Sequence, residues 1–188
     1  SYLWTVNIGM ALENIRKWQW INRMNEKINR MWKYDMLTQV LNRSGFFYCA
    51  ETILQKIKEE KSNAFIIFLD IDGLKSVNDN LGHEIGDAFI AKIAGILKEV
   101  VPKDCLIMRY GGDEFVVFGS CKQAGRMQRI AEDIKAAIKT ADQKENRSYH
   151  LAASLGCSLH KSYEMDNLNS LIELADKKMY EEKKNKRR

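Results

Sequence analysis

The chain contains few cysteines, and their spacing argues against cysteine-based metal or redox sites. Its 188 residues include only Cys49, Cys105, Cys121 and Cys157. These four form neither a CxxC pair nor a recognised metal-ligand spacing. We expect them to be reduced, partly buried thiols, which is typical of a cytoplasmic protein.

Long hydrophobic runs are also missing. Residues 1–12 carry no charge, but a membrane-spanning helix needs about 20 predominantly apolar residues. The same segment lacks the basic start and the small-residue cleavage site of a signal peptide. The sequence therefore predicts neither a transmembrane span nor a secretion signal within these residues.

A broad basic surface is missing as well, although the net charge is +5. Residues 177–188 contain seven Lys or Arg and two Glu, which accounts for the whole excess. The other 176 residues hold 23 basic and 23 acidic side chains. A neutral body with a basic tail lacks the positive footprint of a nucleic-acid-binding protein, so we expect no nucleic-acid partner. The tail is better suited to a triphosphate.

The composition, with 45% hydrophobic residues, indicates one globular domain with an appendage. From residue 12 to residue 34 the chain has no Gly or Pro, and apolar side chains recur every three or four positions among polar ones. This pattern predicts an amphipathic or coiled-coil helix. The helix could pair with a second copy or pack on its own domain. The recurring apolar residues are Ile15, Trp18, Ile21, Met24, Ile28 and Met31.

Beyond residue 35 the hydrophobic pattern predicts alternating helices and strands. The predicted order of the core is βαββαβ, which is the ferredoxin-like arrangement, an α+β fold with an antiparallel sheet and flanking helices. Helices are predicted at 44–60, 86–100, 122–141 and 167–183, and strands at 64–70, 105–110, 114–119 and 148–157.

Two segments of this pattern end in carboxylates. Residues 105–119 read as two apolar strands joined by a tight turn that contains Gly111, Gly112, Asp113 and Glu114. The strand AFIIFLDID, residues 64–72, ends in two further aspartates. An acidic hairpin turn by itself is usually exposed and inert, but carboxylates from two strand ends supply the hard oxygen ligands that Mg²⁺ prefers.

Five blocks in register carry a resemblance to a known family. The chain is similar to the GGDEF domain family, the diguanylate cyclases, which condense two GTP into cyclic di-GMP. The resemblance implies the same ferredoxin-like palm, found in nucleotidyl cyclases and many polymerases. The blocks are DMLTQVLNRSGF (35–46), FLDIDGLKSVNDNLGHEIGD (68–87), RYGGDEF (109–115), SLGCS (154–158) and ADKKMYEEKKNKR (175–187).

The resemblance implies a metal and catalytic site. Asp70, the main-chain carbonyl of Ile71, and Asp113 would bind Mg²⁺, for which Mn²⁺ could substitute, and Glu114 would be a further ligand. Asp113 would also accept the proton of the attacking 3′-hydroxyl. Lys75 would balance charge on the transferred phosphoryl group; without the motif it would be interpreted as a solvated loop lysine. The role of Asp72, as a ligand or as a cap of the following turn, stays open.

The resemblance also implies a substrate site. Asn78 and Asp87 would bind the guanine edge, and His83 would either stack or support this region. Outside the motif, Asn78 would be interpreted as a turn residue and Asp87 as a helix N-cap. Lys183 and Arg187 would bind the triphosphate. The family's usual glycine before that arginine is replaced here by lysine, at position 186.

Other positions matching the family are predicted to be structural. Asp35 and Arg43 could form an ion pair or a cap where the helix joins the domain, and Arg109 could make a salt bridge or face a dimer partner. Many family members carry an RxxD product-binding pair before the hairpin, but those two places hold Pro102 and Cys105 here. We therefore expect no high-affinity product inhibition.

We expect residues 1–34 to be a signalling or dimerisation helix and residues 35–188 to be a GGDEF catalytic domain that works as a Mg²⁺-dependent homodimer. Each protomer would bind one GTP. The helix is favoured as a dimerisation element because family members commonly carry a signalling helix at this place, and a sensor domain upstream is expected. Two alternatives remain: a GGDEF module that binds nucleotide without turnover, and a palm-type polymerase, which the neutral body disfavours.

Overall fold

The computed structural model describes residues 2–144, 149–161 and 167–186. A long helix precedes a domain of four strands and five helices within these ranges. In chain order the elements are α1 (Tyr2–Lys33), α2 (Arg43–Glu59), β1 (Asn63–Ile71), α3 (Leu74–Leu81), α4 (His83–Val100), β2 (Leu106–Arg109), β3 (Glu114–Cys121), α5 (Arg126–Lys144), β4 (Ala153–His160) and α6 (Leu168–Lys186).

The four strands form one sheet in the order β2-β3-β1-β4, and every neighbouring pair is antiparallel. This order places the two later strands β3 and β4 on either side of β1, as in a ferredoxin-like fold. The predicted fold class is therefore confirmed. Strand β1 pairs antiparallel with β3, so the last residues of β1 lie at the same edge of the sheet as the β2–β3 turn.

Strand β1 is buried on both faces, which explains its nearly continuous apolar sequence. Phe65, Ile67 and Leu69 pack into a core with α4 and α5. Ile66 and Phe68, which alternate with them, pack into a second core with α2 and α6. The helices on the two faces fix β1, and with it the carboxylate at its end.

Helix α6 lies unusually close to β4 at Gly156. A Cβ atom on this glycine would lie 2.0 Å from the carbonyl oxygen of Ala175 and 2.2 Å from the backbone nitrogen of Met179. Only a residue without a side chain permits this contact. The glycine therefore determines how closely α6, which carries Lys183, approaches the sheet.

Helix α1 is joined to the domain by Asn42. The Asn42 side chain donates from Nδ2 to the carbonyl of Trp32 at 2.9 Å, and its Oδ1 accepts from the backbone N–H of Gly45 at 2.9 Å. One side chain thus satisfies a carbonyl at the end of α1 and caps the start of α2. The predicted N-terminal helix is present, and its end is fixed to the domain.

The structure differs from the predicted elements at α3 and α4, at α5, which begins at Arg126 and not at residue 122, and at the start of β4. Residues 74–81 form a separate helix, α3, between Gly73 and Gly82, both of which have positive φ (78° and 87°). Helix α4 then begins at His83 and not at residue 86. Strand β4 begins at Ala153, because the N–H of Leu151 donates to the carboxylate of Asp142 at 2.7 Å and not to a neighbouring strand.

Among the residues that the structure describes, none of the helices combines the length and the apolar character required to cross a membrane.

Candidate active site

The carboxylates predicted at the two strand ends meet at one edge of the sheet. Asp70 and Glu114 are paired residues in the β1–β3 register. The N–H of Ile71 donates to the main-chain carbonyl of Asp113 at 3.0 Å, which attaches the hairpin turn to the end of β1. Four of the predicted site residues are therefore neighbours in the backbone.

The turn between β2 and β3 is closed by its own backbone. The N–H groups of Tyr110 and Gly111 both donate to the carbonyl of Glu114, at 2.8 and 3.4 Å. The Glu114 carboxylate folds back over the turn, so that a Cβ on Gly111 would lie 2.5 Å from its Oε2 atom. Glycine at 111 therefore leaves room for the acidic side chain.

Burial and mutual repulsion perturb these carboxylates. Burial raises the pKa of Asp70, with smaller contributions from Asp113 and Asp72, while Lys183 opposes the shift. The pKa of Glu114 is likewise raised by burial and then by neighbouring carboxylates, including Asp113 and Asp70. Perturbed carboxylates packed side by side are typical of a site that binds a cation.

These residues fit a divalent cation by the chemistry of their donors. All the side-chain donors are carboxylate oxygens, and their mutual repulsion is what a doubly charged ion would relieve. Within the described ranges, no group of three or more His, Cys, Asp or Glu side chains is arranged to hold a metal ion by itself. An open donor set suits Mg²⁺, which commonly takes one or two carboxylates together with phosphate oxygens and water.

Lys183 extends from α6 to the carboxylates and forms an ion pair with Asp70 Oδ1. The lysine predicted to bind the triphosphate thus lies directly beside a predicted metal ligand. Its partner in that prediction, Arg187, lies outside the described residues. Helix α6 therefore supplies at least one cation to the carboxylate edge.

Asp72 belongs to a separate network next to this edge. Its Oδ1 accepts from the hydroxyl of Ser154 at 2.8 Å, and its Oδ2 pairs with Lys186 Nζ at 3.1 Å. Lys186 also donates to the carbonyl of Ala153 at 2.7 Å. Asp72 therefore makes an ion pair and a hydrogen bond across to α6 and β4, and its side chain does not cap α3. Lys186, which the sequence presented only as a departure from the family, ties the end of α6 to β4.

The predicted guanine-binding residues lie on α3 and α4. The Asn78 side chain fills the space beside Gly86, where a Cβ would lie 1.8 Å from its Oδ1 atom. The next residue, Asp87, is exposed, as is His83. Because α4 begins at His83, Asp87 lies in the second turn, and its interpretation as an N-cap is wrong. Lys75 is exposed in the first turn of α3.

The sequence did not indicate one further neighbour of the site, and it did not identify the partner of Arg109. The Asp176 carboxylate on α6 is close enough to contribute to the raised pKa of Glu114. The sequence signal that could have indicated a role for Asp176 is its position in the ADKKMY block. Asp35 pairs with Arg109 at 3.1 Å and not with Arg43, whose guanidinium lies over the ring of Tyr110 at 5.4 Å. The salt bridge predicted for Arg109 is thus present.

Comparison with known proteins finds relatives that are named as diguanylate cyclases. Diguanylate cyclase A of Treponema denticola is 29% identical over 180 residues, covering 94% of this chain and 48% of that protein. Diguanylate cyclase VdcA of Vibrio cholerae is 32% identical over 168 residues, covering 87% of this chain and 48% of that protein. The chain thus spans about half the length of these curated relatives.

A solved structure shares the fold and the preceding helix. The coiled coil and GGDEF domain of DgcB from Caulobacter crescentus, in complex with c-di-GMP, superposes with a TM-score of 0.82 at 23% identity and 94% coverage of both chains. Residues 32–188 match the family described as "Diguanylate cyclase, GGDEF domain". The chain therefore belongs to the GGDEF domain family of diguanylate cyclases.

Proposed function

We propose that this chain is a diguanylate cyclase domain that joins two GTP into cyclic di-GMP and releases two pyrophosphates. The observation that carries the proposal is the meeting of Asp70, Asp113 and Glu114 at one sheet edge with Lys183 beside them. Forming a phosphodiester requires a deprotonated 3′-hydroxyl and neutralisation of a departing pyrophosphate. These residues offer both a base and a cation.

The chain's residues would divide the work as follows. Asp113 accepts the proton of the attacking 3′-hydroxyl, and Lys183, with Lys75 and Arg187, compensates charge on the phosphates. Asp70, the Ile71 carbonyl, Asp113 and Glu114 would hold Mg²⁺ or Mn²⁺. When bound, the metal ion supplies activation of the attacking oxygen and charge neutralisation at the phosphates.

The residues that select the base would lie on helices α3 and α4. Asp87 accepts from N1 and N2 of guanine, and Asn78, fixed beside Gly86, contacts the same edge. Adenine presents no donor at N1, so it would leave the carboxylate unpaired. His83, the first residue of α4, would support this region.

The reaction needs two copies, because one GTP per domain supplies only half of the ring. The stripe on α1 leaves Ile15, Ile21, Ile28 and Met31 about half exposed, at 52%, 48%, 56% and 55%. Burying such a stripe against a second helix would be favourable by roughly 25 cal/mol per Å² of apolar area. We therefore propose a homodimer held by α1, with the two catalytic edges facing each other.

The proposal also covers the domains that accompany this one in the whole protein and its location in the cell. The chain spans about half of its curated relatives, so we propose that a sensor domain acts on α1 in the whole protein. We propose a cytoplasmic location, which the nucleotide substrate and the free thiols support.

The direct test is to incubate the protein with GTP and Mg²⁺ and to detect cyclic di-GMP by mass spectrometry. Asp113→Ala should lower turnover by about 10³-fold or more, since even one oxyanion-hole donor is worth about 10² to 10³. Asp133→Ala, which removes an exposed carboxylate on α5, is the matched control. Near-normal turnover in Asp113→Ala would refute its role. GTP binding without any product would favour the alternative, a signalling module that does not turn over.

A further inference from the structure

The guanidinium of Arg109 joins two parts of the chain that lie far apart in sequence. Its Nη1 atom donates to both carboxylate oxygens of Asp35, at 3.1 and 3.3 Å. Its Nε atom lies 3.2 Å from the carbonyl oxygens of both Gly111 and Gly112, and Nη2 donates to Gly112 at 2.8 Å. One planar group therefore connects the segment after α1 with the turn that carries Asp113.

The Asp35 end of this connection is itself held firmly. The Asp35 carboxylate accepts from the backbone N–H of Thr38 at 2.9 Å and from its hydroxyl at 2.7 Å. Burial acts to raise the pKa of Asp35, but the bonds from Thr38 and Arg109 outweigh it and keep the pKa below its usual value. Asp35 is therefore ionised at neutral pH, and its position is fixed by its own loop.

The connection is also shielded from solvent. The side chain of Arg109 is 15% exposed and that of Asp35 is 24% exposed. A charged pair at this depth is less screened than one on an open surface. The backbone supports the same geometry, because the N–H of Arg109 donates to the carbonyl of Leu41 at 2.9 Å.

The catalytic turn is thus held from two sides. On one side, the Ile71 N–H bonds the carbonyl of Asp113. On the other, Arg109 bonds the two carbonyls immediately before Asp113. We infer that Arg109 is a positioning residue: it fixes the Asp113 turn relative to the end of α1, so that the seating of α1 sets the geometry of the catalytic turn. For turnover this inference rests on the proposed cyclase function.

Kinetics of three variants test the inference: Arg109→Gln, Asp35→Asn and the double variant. A misplacement of about 1 Å can cost about 10²-fold in rate, so each single variant should lower kcat by about 10- to 100-fold. GTP affinity should stay within about threefold, because the guanine-binding residues on α3 and α4 are untouched. The double variant should be no slower than the worse single variant, because both changes break one connection.

Arg126→Gln is the matched control. Arg126 makes a comparable, even closer pair with Asp104, at 2.6 and 2.7 Å, and also donates to the carbonyl of Ser120 at 2.7 Å. This pair lies near the opposite end of β3 from the turn. Loss of it should leave kcat within about twofold of the wild type.

Hydrogen exchange tests the positioning without any turnover. The N–H groups of Ile71 and Gly111 bond the carbonyls of Asp113 and Glu114. In Arg109→Gln and Asp35→Asn the exchange rates of these two amides should rise about tenfold or more beyond any rise at Phe68 and Val116 in the strand cores, whose amides report global stability. In Arg126→Gln all four should be unchanged.

The two readouts separate the failure of this inference from the failure of the proposed function. Unchanged exchange at Ile71 and Gly111, or an equal rise at Phe68 and Val116, would overturn the inference, since the second result means general destabilisation. A kcat within twofold of an active wild type would overturn it too. If the wild type forms no cyclic di-GMP, the proposed function fails, and the exchange pattern alone decides whether Arg109 positions the turn.

Discussion

The contact at Gly156 predicts that a single methyl group will both destabilise the domain and impair its site. In Gly156→Ala the new Cβ would lie 2.0 and 2.2 Å from two backbone atoms of α6. Ordinary contact distances are about 3.5 to 4.0 Å, so α6 would have to move away from β4 by more than about 1 Å. Neither contact atom belongs to a side chain that could rotate away.

The magnitude follows from that displacement. Overpacking a well-packed core costs typically about 1 to 3 kcal/mol, and occasionally more, and an unyielding backbone contact places this site at the upper end. A loss of about 3 kcal/mol lowers the melting temperature by roughly 6 to 12 °C for a domain of this size. Because α6 carries Lys183, a proposed triphosphate ligand, GTP affinity should fall as well.

Urea unfolding followed by circular dichroism measures the loss, and Gly95→Ala provides the control. Gly95 lies within α4, and a Cβ there would meet no atom within 4 Å. Replacing a helical glycine by alanine should stabilise by about 0.5 to 1 kcal/mol. If Gly156→Ala unfolds within about 0.5 kcal/mol of the wild type, the close approach of α6 to β4 is not a constraint and the reasoning is wrong.

Four further predictions concern the site and its control. GTP should be preferred over ATP by up to about 10⁴-fold, and Asp87→Ser should reduce this preference; equal turnover of both by the wild type would exclude the role. A chain beginning at Trp32 should lose specific activity on dilution and recover it at high concentration. Cyclic di-GMP titrated at saturating GTP should inhibit only weakly. Pro102 has no donor, and the Cys105 thiol stays uncharged because its pKa is raised to about 11, mainly by burial. Asp35→Asn should lower the free energy of unfolding by about 1 to 2 kcal/mol at pH 7. Since the folded pKa of Asp35 is depressed, the stability difference between wild type and variant should shrink as pH falls below about 4. Unfolding measured over an acid titration would show this.

The sequence predicted the sheet well because its signals were local. Strand β1 is an apolar run ending in carboxylates, and the two strands of the hairpin are separated by glycines, so both could be recognised from short segments. Helix α3 was missed for the opposite reason. Its residues, LKSVNDNL, are mostly polar and lie between two glycines, a composition typical of a loop. Contacts with α4, and not helical propensity, stabilise this short helix.

Long-range pairs were the least predictable part of the site. Asp35 has an arginine eight residues away, Arg43, and the sequence offers no reason to prefer Arg109 at a separation of 74. The pairing depends on Leu41, which bridges to Met108 and brings the two segments together. Likewise, Lys186 could be seen only as an unusual residue until β4 placed the Ala153 carbonyl and Ser154 within its reach.

The folded domain gives a reason why the basic residues are concentrated in the tail of the chain. The sheet edge gathers Asp70, Asp113 and Glu114, and α6 adds Asp176, whereas Lys183 supplies one positive charge within contact. A GTP triphosphate approaching this edge alone would be repelled by it. The basic residues of the tail that the structure describes, at positions 177–186, lie on the same helix, which Gly156 brings against the sheet. With Lys183 paired to Asp70, this one edge would offer both carboxylates for a cation and a cation for phosphates, which is the combination that the proposed reaction requires.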